Sequence, residues 1–267
     1  MRLHAIACDV MARPVYLCAA RSPHVVDVTL FRRGLHEDTR DMRARLQAAI
    51  DAAPAEIDAV VLGYGLCGGA TAGIEARSVP VVLPRAHDCI TLFLGARDRY
   101  AAETANGEAT YWYVADQLER NDGSRPGPAG TGVGGDTDEA LDAVRAEYVA
   151  RYGEDNADYL MEVMGAWRAH YRRGAFIEMG VGDETGPATL AREQAERRGW
   201  RFETVEGSLV LLRRLLDGDW NGDVLVLQPG QRLAMSYDDG VVKAVPAAGS
   251  PASEPSRPPA DHARRPG

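Results

Sequence analysis

Asp58-Ala59-Val60-Val61-Leu62-Gly63-Tyr64-Gly65-Leu66-Cys67-Gly68-Gly69, residues 58–69, is the stretch whose reading decides the fold. Its first half, DAVVLGY, is a short apolar run ending in glycine, which predicts a strand buried on both faces. Its second half, GYGLCGG, predicts a tight turn leaving that strand. Apolar runs of the same kind lie at residues 3–7 and at 79–83 (VPVVL), and residues 25–31 alternate with β-branched side chains, so each is expected to be a strand. Residues 13–20 and 39–52 read as helices, the second with Met42, Leu46, Ala49 and Ile50 at helical spacing. A further helix is expected over residues 89–100. Strands separated by helices of about a dozen residues imply a parallel sheet covered on both faces.

Further along, Tyr111-Trp112-Tyr113 reads as a half-buried strand or as a wall for a planar ligand. Residues 120–136 (RNDGSRPGPAGTGVGGD) are rich in glycine and proline and read as a flexible linker. Residues 137–173 read as one or two helices, with Leu141, Val144, Tyr148, Tyr152, Tyr159, Leu160, Val163, Met164 and Trp167 at helical spacing. Strand and helix then alternate again through residues 175–179, 189–198, 201–205, 210–216 and 224–227. The expected fold class is therefore α/β: two Rossmann-like three-layer halves with largely parallel sheets, joined by a helical segment, with the likeliest place for a site in the cleft between them. The expected boundaries are 1–119 and 174–246 for the halves, 120–136 for the insert, 137–173 for the helical segment and 247–267 for a disordered tail.

Composition narrows the chemistry. The chain has 267 residues, a formal net charge of -9, 45% apolar and 26% charged residues, an ordinary soluble composition. An acidic chain argues against a nucleic-acid partner, because phosphates need a basic face. No apolar run reaches about 18 residues, so no membrane partner is expected, and Cys8-Asp9 interrupts the first apolar stretch where a signal peptide would continue. A cytoplasmic location is expected. Of 30 basic residues, Lys243 is the one lysine, and it precedes a proline-rich tail. A phosphate-binding loop ending in Gly-Lys is thereby absent, a Schiff base on a core lysine is disfavoured, and neither a Gly-x-Ser-x-Gly elbow nor a Gly-x-Gly-x-x-Gly dinucleotide loop is expected.

The four cysteines are Cys8, Cys18, Cys67 and Cys89. Cys18 lies among Tyr16, Leu17 and Ala19 and reads as helix core. The other three each follow an expected strand. In a parallel sheet all carboxyl ends lie on one edge, where ligands bind beside the point at which strand order reverses, so Cys8, Cys67 and Cys89 are expected to converge. His87 precedes Cys89 by two positions, and His36 follows the second strand toward the same edge. Cys8, Cys67, Cys89 and His87 would make a tetrahedral zinc site, or an open one with His87 outside the ion's immediate ligands. Thiolates suit iron and copper(I) as well. The bland alternative is three buried hydrophobes. A third is a metal-independent nucleophile, Cys67 or Cys89, with His87 as its base. Around these residues, Gly65, Gly68 and Gly69 permit close backbone approach to an anion, Arg85 flanks the His-Cys pair, and Asp88 either orients His87 or caps a helix starting at Cys89. In the second half Glu178, Glu206 and Gln228 end strands. Glu178 is the expected ligand contact, against the plainer reading of a solvated turn.

At GYGLCGG and at PRAHDCITLFLG (residues 84–95) the sequence resembles a family of proteins of unknown function numbered 1638, with Gly34-Leu35-His36 as a further match, over most of the chain from Cys8 to about Ser236. The glycine- and proline-rich insert near Arg125 departs from the family pattern, as does the absence of a Gly-Trp after Tyr111-Trp112. The family assigns no activity. Its common neighbourhood among genes for corrinoid-dependent methyl transfer implies a small-molecule ligand, one-carbon chemistry, and a corrinoid, a corrinoid protein or a methyltransferase as cofactor or partner. His87-Asp88-Cys89 has the His-x-Cys spacing of zinc enzymes that methylate thiols. A non-catalytic protein that senses a corrinoid or another anion is the remaining alternative.

Overall fold

The computed structural model describes residues 1–120, 145–146, 148–165, 170–238 and 240–247. The insert, the tail and the expected helix positions Leu141, Val144 and Trp167 lie outside the described residues, as do the side chains of Val163 and Met164.

The chain is mixed α/β with mostly parallel pairing. Strands β1 (Arg2–Cys8), β2 (Val25–Phe31), β3 (Ala59–Gly63) and β4 (Val81–Pro84) run parallel, and Val224–Leu227, the eighth strand of the chain, adds antiparallel to β4. The sheet order is β2-β1-β3-β4 and then that eighth strand. Helices α1 (Ala12–Arg21) and α2 (Thr39–Asp51) cover its opposite faces. Helix α1 has Val15 and Cys18 on its buried face, and α2 has Met42, Leu46 and Ile50. Each such aliphatic side chain contributes about 1.5–3 kcal/mol on burial. Asp38 starts α2 by accepting from the Arg40 and Asp41 amides.

After β4 come α3 (Cys89–Leu94) and α4 (Arg97–Thr104). One helix is expected from the sequence here. Gly95 breaks it, with φ +80 and a backbone so close to Ser208 that a Cβ would lie 2.6 Å from the serine Oγ. Next follow β5 (Thr110–Tyr113), α5 (Ala115–Glu119), α6 (Glu154–Gly165), β6 (Arg173–Glu178), α7 (Thr185–Arg197), β7 (Arg201–Glu206), α8 (Val210–Asp217), β8 (Val224–Leu227), β9 (Gln231–Met235) and β10 (Val242–Pro246). β5, β6 and β7 form a parallel sheet in that order, and β9 and β10 pair as an antiparallel hairpin. β5 is buried along its whole length rather than half-buried.

Sheet membership does not follow position along the chain. β5, from the first half of the sequence, pairs with β6, while β8, from the second half, pairs with β4. A single core reaches through both sheets, from Leu3, Ala5 and Val61 past Leu92 and Phe93 to Ala175, Ile177 and Val205. Arg13 strengthens the junction. Its amide and guanidinium bond the buried Asp116 carboxylate at 2.9 and 3.3 Å, and the guanidinium also pairs with Glu119. No helix among the described residues is long and apolar enough to cross a membrane.

Candidate functional site

The strand order places the reversal between β1 and β3, since β2 lies to one side of β1 and β3, β4 to the other. A crevice at a carboxyl edge forms where neighbouring strands send their connections to opposite faces, and here that point is bounded by the ends of β1 and β3. Cys8 ends β1. The last pair of the β1–β3 register is Ala7 with Gly63, so Cys8 and Tyr64 are the next residues on each strand. Gly63 allows this approach, since a Cβ there would lie 2.8 Å from that of Ala7.

The loops after β3 and β4 are stitched together. The Leu66 amide donates to the Ala86 carbonyl and the Cys67 amide to the His87 carbonyl, both at 2.8 Å. A Cβ on Gly65 would lie 2.7 Å from the Asp88 Cα, so the glycine is required by loop packing and not by room for a ligand. Cys67 has φ +48, the left-handed region that side chains rarely adopt, and Gly68 and Gly69 follow at +66 and +90. Asp88 caps α3, accepting from Ile90 and Thr91 at 3.0 and 3.4 Å and from the Tyr100 hydroxyl at 3.3 Å. Of its two expected roles, the cap is the one its contacts show. It sets Cys89 as the first residue of α3.

Cys8, Cys67 and Cys89 are close enough to act on one another electrostatically. Burial pushes the Cys67 thiol up to about 12, with Cys8 and Asp88 adding to the rise. Burial likewise raises Cys8 to about 12, opposed by amides at Val10 and Asp9 and by Arg33. Cys89 is raised well above the thiol range by burial, then by Asp88, Cys67 and Cys8. All three are free thiols of intermediate exposure. Among the described residues, no group of three or more His, Cys, Asp and Glu side chains is arranged to hold a metal ion.

Tyr64 completes the cluster, and sequence reasoning passed over it as the end of a strand. It is 5% exposed, and its hydroxyl has no hydrogen-bond partner. Burial raises its phenol strongly, and the charges that raise it further are Cys8, Cys67, Asp9 and Cys89. The expectation of no dinucleotide-type loop is wrong as to spacing. Gly63-Tyr64-Gly65-Leu66-Cys67-Gly68 has the Gly-x-Gly-x-x-Gly spacing of dinucleotide-binding loops. Here the loop continues into a 3-10 turn, Cys67–Gly69, and not into the helix whose N-terminus would meet a pyrophosphate.

The remaining expected residues take other places. His87 is exposed, and the neighbouring Asp88 carboxyl is raised by burial, against the hydrogen bonds it accepts from Thr91, Ile90 and Tyr100. His36 lies in a 3-10 turn, Leu35–Glu37, where burial lowers its imidazole. Arg85 is engaged by the β9–β10 hairpin, donating to the carbonyls of Gly240 and Val242 at 3.2 and 2.6 Å. Glu178 ends β6 in the other sheet, exposed and paired in register with the exposed Glu206. Cys18 is 1% exposed in the core, and burial raises its thiol to about 11. Tyr111 and Tyr113 pack with Trp200 and Phe176 in a separate small core.

The fold and the cluster define an α/β protein with three free thiols gathered near the reversal point of its larger sheet. The chain belongs to the family described as Protein of unknown function (DUF1638), whose model matches residues 30–216. That span includes Tyr64, Cys67, His87 and Cys89 and starts after Cys8. No curated protein and no solved structure matches the chain.

Proposed function

We propose that the protein binds a thiophilic metal ion, zinc or iron, through the thiolates of Cys8, Cys67 and Cys89. The observation that carries this reading is that Cys8, Cys67 and Cys89, from the segments that follow three parallel strands, lie close enough to act on one another electrostatically. The donor set is soft and suits such an ion. Three neutral thiols packed together are tolerable, whereas three thiolates in the same space repel strongly unless a cation offsets them.

Bound there, the ion would supply Lewis acidity and lower the pKa of a thiol or water beside it. Around it this chain's residues hold the geometry. Asp88 fixes the start of α3 and hence Cys89, and the Gly65 contact fixes the Cys67 loop against it. Exposed His87 stands on the same loop. These features support a small-molecule thiol as the ligand and, in keeping with the one-carbon setting the family resemblance implies, a corrinoid protein or methyltransferase as partner, in the cytoplasm. The raised thiols weigh against Cys67 or Cys89 as a metal-independent nucleophile, because the thiolate is the reactive form.

Elemental analysis of protein purified without oxygen tests the reading. About one zinc or iron per chain is expected, with little left in Cys67→Ser or Cys89→Ser. A metal-free wild-type chain that also takes up no added zinc would overturn it.

A further inference from the structure

Several arginines that reach into the fold are paired. Arg13 meets Asp116 and Glu119, Arg97 meets Asp223, and Arg173 meets Glu103 and Glu203. Arg85 and Arg99 instead donate to two backbone carbonyls each. Half-buried Arg43 has less. Its Nη2 donates to the Gly69 carbonyl at 2.9 Å, its Nε is buried with no partner, and no carboxylate among the described residues pairs with it. A guanidinium that gives up hydration for one carbonyl lowers stability. Its place is fixed all the same. A Cβ on Gly73, whose φ is +93, would lie 3.4 Å from the Arg43 Cδ and 3.5 Å from its Nε, so the side chain runs along that glycine.

Arg43 stands just over one turn into α2, at the carboxyl edge of the larger sheet, and meets the loop after β3 at Gly69. That loop holds a second unused donor. The Cys67, Gly69 and Ala70 amides donate to the carbonyls of His87, Leu66 and Cys67. The Gly68 amide has no partner among the described residues, and Gly68 is exposed, with nothing within 4 Å of where a Cβ would be.

We propose that Arg43 and the Gly68 amide form an anion site whose ligand is the phosphate group of a small phosphate monoester. A cationic side chain with no carboxylate, beside a spare backbone amide, is suited to an anion. The class of anion follows from the guanidinium. A flat carboxylate gripped side-on uses Nε with one Nη, and that edge is closed because Nε is buried. Nη1 and the Gly68 amide belong to separate segments, an arrangement for the several oxygens of a tetrahedral anion. The open space at Gly68 leaves room for the rest of the ligand. The site uses none of the thiols and stands apart from the metal reading.

Calorimetric titration of reduced, metal-free, full-length protein with phenyl phosphate, and in parallel with inorganic phosphate, tests this. One site per chain is expected, with the ester bound at least as tightly as phosphate. Arg43→Met is expected to lose about tenfold or more in affinity, the scale of a charge-assisted hydrogen bond. Arg45→Met, which removes an exposed arginine of the same helix, is expected to bind as wild type does. Without ligand, Arg43→Met is expected to melt at or above the wild-type temperature, and phenyl phosphate to raise the melting temperature of wild type alone. No saturable binding by wild type, or equal binding by Arg43→Met, would overturn the site. Displacement by acetate as readily as by phosphate would overturn the tetrahedral assignment, and binding of inorganic phosphate without the ester would overturn the monoester. An Arg43→Met chain that melts well below wild type, or does not fold, would overturn the role by showing Arg43 to be a structural clamp. Protein that binds the ester and takes up no zinc would support this site and overturn the metal reading alone.

Discussion

Cys67 combines two features that rarely coincide in one residue: a left-handed backbone, with φ +48, and a sulfur in a cluster with two others. The conformation costs about 1–2 kcal/mol in a residue with a Cβ. It is held by the hydrogen bond that the Cys67 amide donates to the His87 carbonyl and by the glycines that follow. The thiols also give the metal-free protein a pH signature. Burial raises Cys8 and Cys67 from a reference of 9.0 to about 12, and Cys18 to about 11. A thiol raised on folding favours the protonated fold. Its stabilisation is complete below the unfolded value of about 9 and is lost as the pH climbs toward the folded values. The urea midpoint of metal-free, reduced protein is therefore expected to fall steadily between pH 9 and pH 11. A midpoint that held or rose over that range would show that the thiols are not buried together.

The element that places the site is the pair of loops after β3 and β4. Two glycines in the first loop separate packing from backbone conformation. Gly65→Ala puts a methyl 2.7 Å from Asp88 backbone atoms, which cannot yield as a side chain would. A loss of about 1–3 kcal/mol and of metal binding is expected. Gly68→Ala meets nothing within 4 Å, so only its φ of +66 matters. It is expected to cost about 1 kcal/mol and to leave metal affinity close to that of the parent. Thermal melts and zinc titrations of the two variants check this, and equal losses would contradict it. Sequence reasoning reached this edge because DAVVLGY and VPVVL are apolar runs too short for helices, and parallel strands must share a carboxyl edge. It missed the early start of β6 because Arg173, the first residue, is charged. Arg173 is buried all the same, through bonds to Glu103 and Glu203 at 2.7 and 2.6 Å, which no hydropathy pattern reveals. It missed β9 and β10 because each is a five-residue run interrupted by a charge, at Arg232 and at Lys243. It overlooked Tyr64 because an unpartnered hydroxyl exists only in three dimensions.

At the scale of the molecule, the exchange of β5 and β8 matters most. A half that donates a strand to the other sheet lacks an edge of its own core. The core running from Leu3 to Val205 makes the two sheets unfold together. Tryptophan fluorescence reports on the smaller sheet through Trp112 and Trp200 and on the region beside α8 through Trp220, and thiol labelling of Cys18 reports on α1. Both are expected to give one urea midpoint. Separate midpoints would show two independent units. This cooperativity matters for the site, because Cys8 near the N-terminus is tied to elements from the far end of the chain, and α8 closes the face above β3 and β4.

X-ray absorption at the zinc edge of protein loaded with one equivalent of zinc tests the gathering of sulfurs most directly. Three sulfur neighbours near 2.3 Å are expected, falling to two in Cys8→Ser. A shell of nitrogen and oxygen alone, or a chain that retains no zinc, would contradict a site built from Cys8, Cys67 and Cys89.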